Sequence, residues 1–101
     1  MWTNIEMSSN DKPLANPSIV LREEFDDWAV LFDPDTGKAF GINPVSVFVW
    51  KRLDGSHTVN DLLAELRQSY NNVPDLAGQH IADFIQELIK RGYAGYSLTP
   101  G

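Results

Sequence analysis

The sequence has no cysteine among its 101 residues, so no disulfide staples the fold and no thiolate is available for an iron–sulfur cluster, a zinc knot or a nucleophile. Histidine is scarce too. His57 stands in a turn and His80 in a helical stretch, and neither has the patterned partners that a zinc site or an imidazole-activated serine needs. Positive charge is in short supply: 8 Lys and Arg stand against 14 Asp and Glu, for a net charge of −6 and a pI near 4.6. That balance repels polyphosphates and anionic lipid headgroups, which speaks against nucleic acid and membrane surfaces as partners. No apolar run approaches the ~18–20 residues of a membrane span, and the start MWTNIEMSSNDKP lacks the basic and apolar regions of a signal peptide, so a cytoplasmic protein is expected. A glycine-rich phosphate loop is also missing. Together these absences point to a protein without cofactor, metal or reaction of its own.

What is present is enough for one core. Hydrophobic residues make up 43% of the chain, with three Trp, three Tyr and five Phe, a composition too rich for disorder. Residues 1–18 are polar, hold Pro13 and Pro17, and follow no period, so they read as a flexible N-terminal segment ahead of a domain over 19–97, with 98–101 as a tail. A first strand is expected around Ile19 to Glu24 and a second over Trp28 to Phe32. The second is apolar at every position and therefore expected mid-sheet and buried on both faces. DPDTGK is a reverse turn by composition. Its Asp33, Asp35 and Gly37 have a passing likeness to a calcium loop, but the later Glu and the right glycine offset are missing, so a hairpin turn is the reading. The returning strand, Lys38 to Ile42, then pairs on one side only.

Asn43 followed by Pro44 is a helix start. Val45, Val47, Phe48, Val49, Trp50 and Leu53 crowd around that helix, and Asp54 and Gly55 are expected to end it. Thr58 with Asp61 three residues on resembles a capping box for a second helix, and NNVP breaks it. A third helix is expected from near Pro74 or Asp75 to Arg91, stopped by Gly92, and YAGYSL can add a short strand. The class is α+β: a small winged helix-turn-helix-like domain, with a three-stranded antiparallel sheet followed by three helices.

Binding rather than catalysis is where the pattern has content. On the third helix, Ala77, Ile81, Phe84, Ile85, Leu88 and Ile89 cover more than the ~100° stripe of a helix with one packed face. One reading places the helix between the sheet and the other helices. The other lets Phe84 and its neighbours form a groove with the open side of the Lys38–Ile42 strand, where an extended peptide can add as a further strand. Gly41 fits that reading, because a strand residue without a side chain admits another backbone closely. The acidic group Glu23, Glu24, Asp26 and Asp27 reads as a solvated turn, or otherwise as a rim for a basic partner.

From about Ile19 to Tyr93 the sequence resembles the PqqD-like family, the RiPP recognition elements. The likeness is carried by the apolar strand, the Asp-Thr-Gly hairpin, GIN at Gly41 to Asn43, Trp50 with LDG at Leu53 to Gly55, HTVNDLLAEL from His57 to Leu66, and FIQELIKRGY from Phe84 to Tyr93. It is nearest to stand-alone members that accompany radical SAM peptide-modifying enzymes, the SynChlorMet cassette protein among them, with lasso-peptide recognition proteins close by. The resemblance implies a peptide chaperone that captures the leader of a ribosomally made precursor and presents it to a radical SAM or other maturase. It also implies a site: Lys38, Ala39, Phe40, Gly41 and Ile42 on the strand, with Ile81, Phe84, Ile85 and Leu88 on the third helix. A winged-helix DNA-binding regulator is the alternative, since the same helix order builds both. However, the third helix offers Asp75, Asp83 and Glu87 against only Lys90 and Arg91 at its end. A dimerisation module is the third reading, because an open strand edge can pair with its own copy.

Overall fold

The computed structural model describes residues 11–96. The first ten residues and the expected tail over 98–101 lie outside the described residues. The element order is β1 (Pro13–Ala15), β2 (Val20–Glu23), β3 (Ala29–Phe32), β4 (Ala39–Ile42), α1 (Pro44–Trp50), α2 (Val59–Ser69), α3 (Ala77–Lys90) and β5 (Ala94–Tyr96). Strands β2, β3 and β4 form an antiparallel sheet with β3 in the middle, and β1 pairs antiparallel with β5 in a second, two-stranded sheet. This is the expected α+β fold, a three-stranded antiparallel sheet followed by three helices, with the β1–β5 pair in addition.

Local chemistry accounts for the boundaries. In the β3–β4 turn the Asp33 carbonyl accepts the Gly37 N–H at 2.8 Å, and the Asp33 carboxylate accepts the Asp35 N–H at 2.9 Å. Gly37 takes a φ of 74°, a region glycine enters without steric cost. At α1 the Asn43 side chain accepts the Ser46 N–H at 2.8 Å, with Pro44 in the first turn. At α2 the capping box is complete: Thr58 accepts from the Asp61 N–H, and the Asp61 carboxylate accepts the Thr58 N–H. The end of α3 is a Schellman motif. Gly92, at a φ of 78°, donates to Ile89, and Tyr93 donates to Leu88.

The core lies between the inner face of the sheet and the helices, with Leu31, Leu62, Leu66, Ile81, Ile85 and Leu88 fully buried. Four expectations are corrected. The segment over 1–18 is not wholly outside the fold: β1 carries a fully buried Pro13, whose carbonyl accepts the Gly55 N–H at 3.1 Å. Proline serves as the first residue of a strand because no donor is needed of it there. Strand β3 is central but buried on one face only. Ala29 and Leu31 point inward, whereas Val30 and Phe32 are half-buried and Trp28 is exposed. Helix α1 ends at Trp50 rather than at Asp54, since the chain beyond it is drawn into β1 through the Ala15 N–H, which donates to the Leu53 carbonyl at 2.8 Å. Helix α3 begins at Ala77, after a turn closed by the Ala77 N–H on the Pro74 carbonyl.

Candidate functional site

Strand β4 is an edge of its sheet, and among the described residues nothing pairs with its outer side. The register fixes which of its groups face outward. The Asp33 N–H donates to the Lys38 carbonyl at 2.9 Å, and on the other side of β3 the Glu24 N–H donates to the Trp28 carbonyl at 2.8 Å. Because hydrogen-bonded and non-hydrogen-bonded pairs alternate along an antiparallel ladder, Leu31 with Phe40 and Ala29 with Ile42 are the bonded pairs. The N–H and C=O groups of Ala39 and Gly41 therefore point to the open edge. Between Ala39 and Ile42 there is no charged side chain, so nothing on the strand blunts it. The other sheet edge, β2, differs: it carries Arg22 and Glu23, and the Glu23 carboxylate is held by Lys51 Nζ at 2.8 Å.

Side chains alternate across β4. Phe40 and Ile42 face the helices, half-buried and buried, while Ala39 and Gly41 lie on the outer face. A Cβ built on Gly41 meets nothing within 4 Å, so the chain's own packing does not require glycine there. Lys38 is exposed in the turn before the strand. On α3 the expected site residues divide. Ile85 and Leu88 are fully buried in the core, Ile81 is buried but borders a cleft, and Phe84 is half-buried and lines the same cleft. The packed-helix reading thus accounts for Ile85 and Leu88, while Ile81 and Phe84 stand at the cleft.

The cleft has a volume of about 430 Å³ and opens where β4 ends at Asn43. The buried Val49, Leu66, Ala77 and Ile81 make its floor, with Val45, Tyr70 and Phe84 as more exposed apolar wall. Asn71, Asn72 and His80 supply polar groups, and Val73 and Pro74 complete the α2–α3 side. Sequence reasoning treated this connection only as a helix break. The usable signal was Tyr70 and Val73 flanking two asparagines, one of which, Asn72, adopts a φ of 58°.

Away from the cleft, the Arg91 guanidinium lies 4.1 Å from the Phe40 ring centroid, and its Nε donates to Glu87 Oε2 at 2.9 Å. This cation–π contact links the end of α3 to β4. It also occupies one of the two cations that a DNA-reading helix would need.

The polar cluster around His57 is structural in its bonding. His57 Nδ1 is 3.0 Å from Asp54 Oδ1, and Nε2 is 2.8 Å from Glu65 Oε2, which ties the loop after α1 to α2. The Ser56 hydroxyl donates to Asp54 Oδ1 at 2.6 Å, so its proton is directed at a carboxylate and not at an imidazole base. The Ser56 hydroxyl and N–H, then the His57 ring, hold the Asp54 carboxyl down at about 2. Bonds from the Thr58 N–H and hydroxyl likewise lower Asp61. Among the described residues no group of three or more His, Cys, Asp or Glu side chains is placed to hold a metal ion, and no helix is long and apolar enough to cross a membrane.

Comparison with known proteins gives the following. A family model described as "Coenzyme PQQ synthesis protein D (PqqD)" matches residues 29–94. No curated protein sequence matches the chain. Among solved structures, a lasso peptide synthetase B1 complexed with the leader peptide is similar with a TM-score of 0.67 and 25% identity, over 83% of this chain and 98% of that one. TbiB1, in complex with the TbiA(beta) leader peptide, is similar with a TM-score of 0.64 and 18% identity, over 87% of this chain and 99% of that one. The heterocyclase TruD has the same fold with a TM-score of 0.61 and 15% identity, over 86% of this chain but only 12% of its own.

Proposed function

Since the chain belongs to the PqqD family, we propose that it is a RiPP recognition element: a binding protein that holds the leader of a ribosomally made precursor peptide while a separate enzyme modifies the core segment. The observation that carries this reading is the uncharged edge of β4, unpaired among the described residues, with the main-chain groups of Ala39 and Gly41 turned outward and the Phe84 cleft at its end. An extended peptide placed there gains main-chain hydrogen bonds from the edge, and the cleft receives one of its apolar side chains. The strand residues Lys38 to Ile42 form the rail. Phe84 and Ile81 border the side-chain pocket, and Ile85 and Leu88 hold that wall in place from within. The similar lasso peptide synthetase B1 was solved with a leader peptide, which supports the same role here.

The enzyme served is of the radical SAM class or another peptide maturase, and the meeting takes place in the cytoplasm, where precursors are synthesised. The protein itself carries out no step of the modification.

Gly41→Pro provides the test. The Gly41 N–H makes no bond within the sheet, so proline there removes a donor offered to the peptide while leaving the β3–β4 ladder intact. Titration with the precursor's leader is expected to show affinity lower by on the order of tenfold or more, with Gly41→Ala, which keeps the N–H, close to the parent protein. A folded Gly41→Pro variant with unchanged affinity would falsify the strand-addition mode.

A further inference from the structure

The outer face of the three-stranded sheet, opposite the helices, is largely apolar and partly exposed. Trp28, Val30 and Phe32 alternate onto it from β3 and its approach, with Val20 beside Phe32 on β2 and Ala39 beside Phe32 on β4. Trp28 is 54% exposed and Val20 47%, and Phe25, in the β2–β3 turn, is 78% exposed. Isolated exposed apolar residues are ordinary, but a contiguous face with an uncovered tryptophan marks an interaction surface. That turn holds Asp26 and Asp27 at φ values of 57° and 64°, and two successive non-glycine residues in the left-handed region are uncommon.

Charge at the two ends of this face selects the occupant. Glu24, Asp26 and Asp27 stand at the β2–β3 turn, and Asp33 and Asp35 at the β3–β4 turn beside Lys38, with Arg22 between the two ends on the face, so carboxylates outnumber cations there. A second copy would bring carboxylates against carboxylates on a chain of net charge −6, and an anionic lipid surface would be repelled in the same way. A protein presenting an apolar patch with a basic rim fits.

We propose that this face is where the modifying enzyme docks, through an apolar surface bordered by Lys and Arg side chains. The inference rests on the peptide-binding reading and adds the partner's position to it. A peptide added along β4 would widen the same sheet, and its alternate side chains would line up beside Ala39 and Gly41 on the outer face. The enzyme would then meet its own apolar contact and the captured peptide on one continuous surface, while the cleft with Phe84 lies on the opposite face and stays occupied.

The test uses the full chain and the purified maturase that modifies the precursor whose leader the chain captures. Two variants separate the contributions: Phe25→Ser with Trp28→Ser removes the exposed aromatics, and Asp26→Asn with Asp27→Asn removes charge while keeping residues tolerant of positive φ. Each is expected to weaken enzyme binding by on the order of tenfold, and the parent's enzyme affinity to fall with added salt more steeply than that of the Asn variant. Leader affinity, measured in parallel, stays at the parent value. Intact leader capture with enzyme affinity unmoved in both variants overturns the docking face and leaves the peptide reading standing. Enzyme binding lost in the variants of a protein that never captures leader does the reverse. A concentration-dependent dimer in sedimentation, abolished by the aromatic variant, assigns the face to a second copy and also overturns the proposal.

Discussion

Phe84 and Ile85 are adjacent on α3 and are asked to do different things. Phe84 is half-buried against the cleft and Ile85 is fully buried among the core residues. Truncating Phe84 to Ala should cost on the order of 2 kcal/mol in leader affinity if it anchors a peptide side chain, with a smaller loss of folding stability. Truncating Ile85 should remove roughly 2–5 kcal/mol of folding stability, because a cavity is left that the surroundings fill only in part. Urea denaturation and peptide titration of both variants check the split, and a Phe84→Ala protein that only loses stability would move Phe84 into the core. The sequence could not make this division. Both residues are apolar at helical spacing, and the difference lies in what the other elements cover. Asp54 offers a second residue-level test. Its folded pKa of about 2 lies below the ordinary aspartate value, so its bonds to Ser56 and His57 contribute stability above the unfolded value, and that contribution is lost as pH falls through the folded one. Thermal melts between roughly pH 5 and pH 2 should therefore fall less for Asp54→Asn than for the parent protein. Parallel curves would show that this loop does not contribute to acid sensitivity.

At the scale of elements, the parts with chemistry written into a few adjacent residues were legible. Asn43-Pro44 starts α1, Thr58 with Asp61 starts α2, and Arg91-Gly92-Tyr93 closes α3. The dependence of α2 on its cap is measurable. Thr58→Ala should destabilise the protein by about 1 kcal/mol, and a midpoint of denaturation unchanged from the parent would mean that packing of Leu62 and Leu66 alone holds the helix. The β3–β4 hairpin was legible because Gly37 and Pro34 punctuate it, and the free edge of β4 followed from connectivity. Elements that depend on distant partners were not. Strand β1 is three residues long, too short to alternate visibly, and its bonds run to Leu53, Gly55 and β5. The burial of β3 on one face could not be read either: a run of five apolar residues has no phase, and here its outward half forms the exposed face with Trp28.

On the scale of the whole molecule, the open edge of β4 is positioned by parts remote from it. Strand β1 links the loop after α1 to the end of α3: Ala15 N–H bonds to Leu53, Asn16 N–H to Tyr93 and Asn16 Nδ2 to Gly92, the last at 3.1 Å. Arg91, at that same helix end, stacks on Phe40 of β4. Strand β1 therefore bears on β4 through the C-terminus of α3 and the Arg91–Phe40 contact. A chain beginning at Ser18 should lose these bonds and the cover on Tyr93 and Ala94, both buried in the intact protein. Its midpoint of urea unfolding is expected to drop, since each lost main-chain bond contributes about 0.5–1.5 kcal/mol and buried apolar surface is newly wetted. Leader affinity per folded molecule should fall by less than that loss of stability, because β4 and Phe84 are left in place. Equal stability in the shortened chain would mean that β5 and the 53–55 loop hold the helix end without β1.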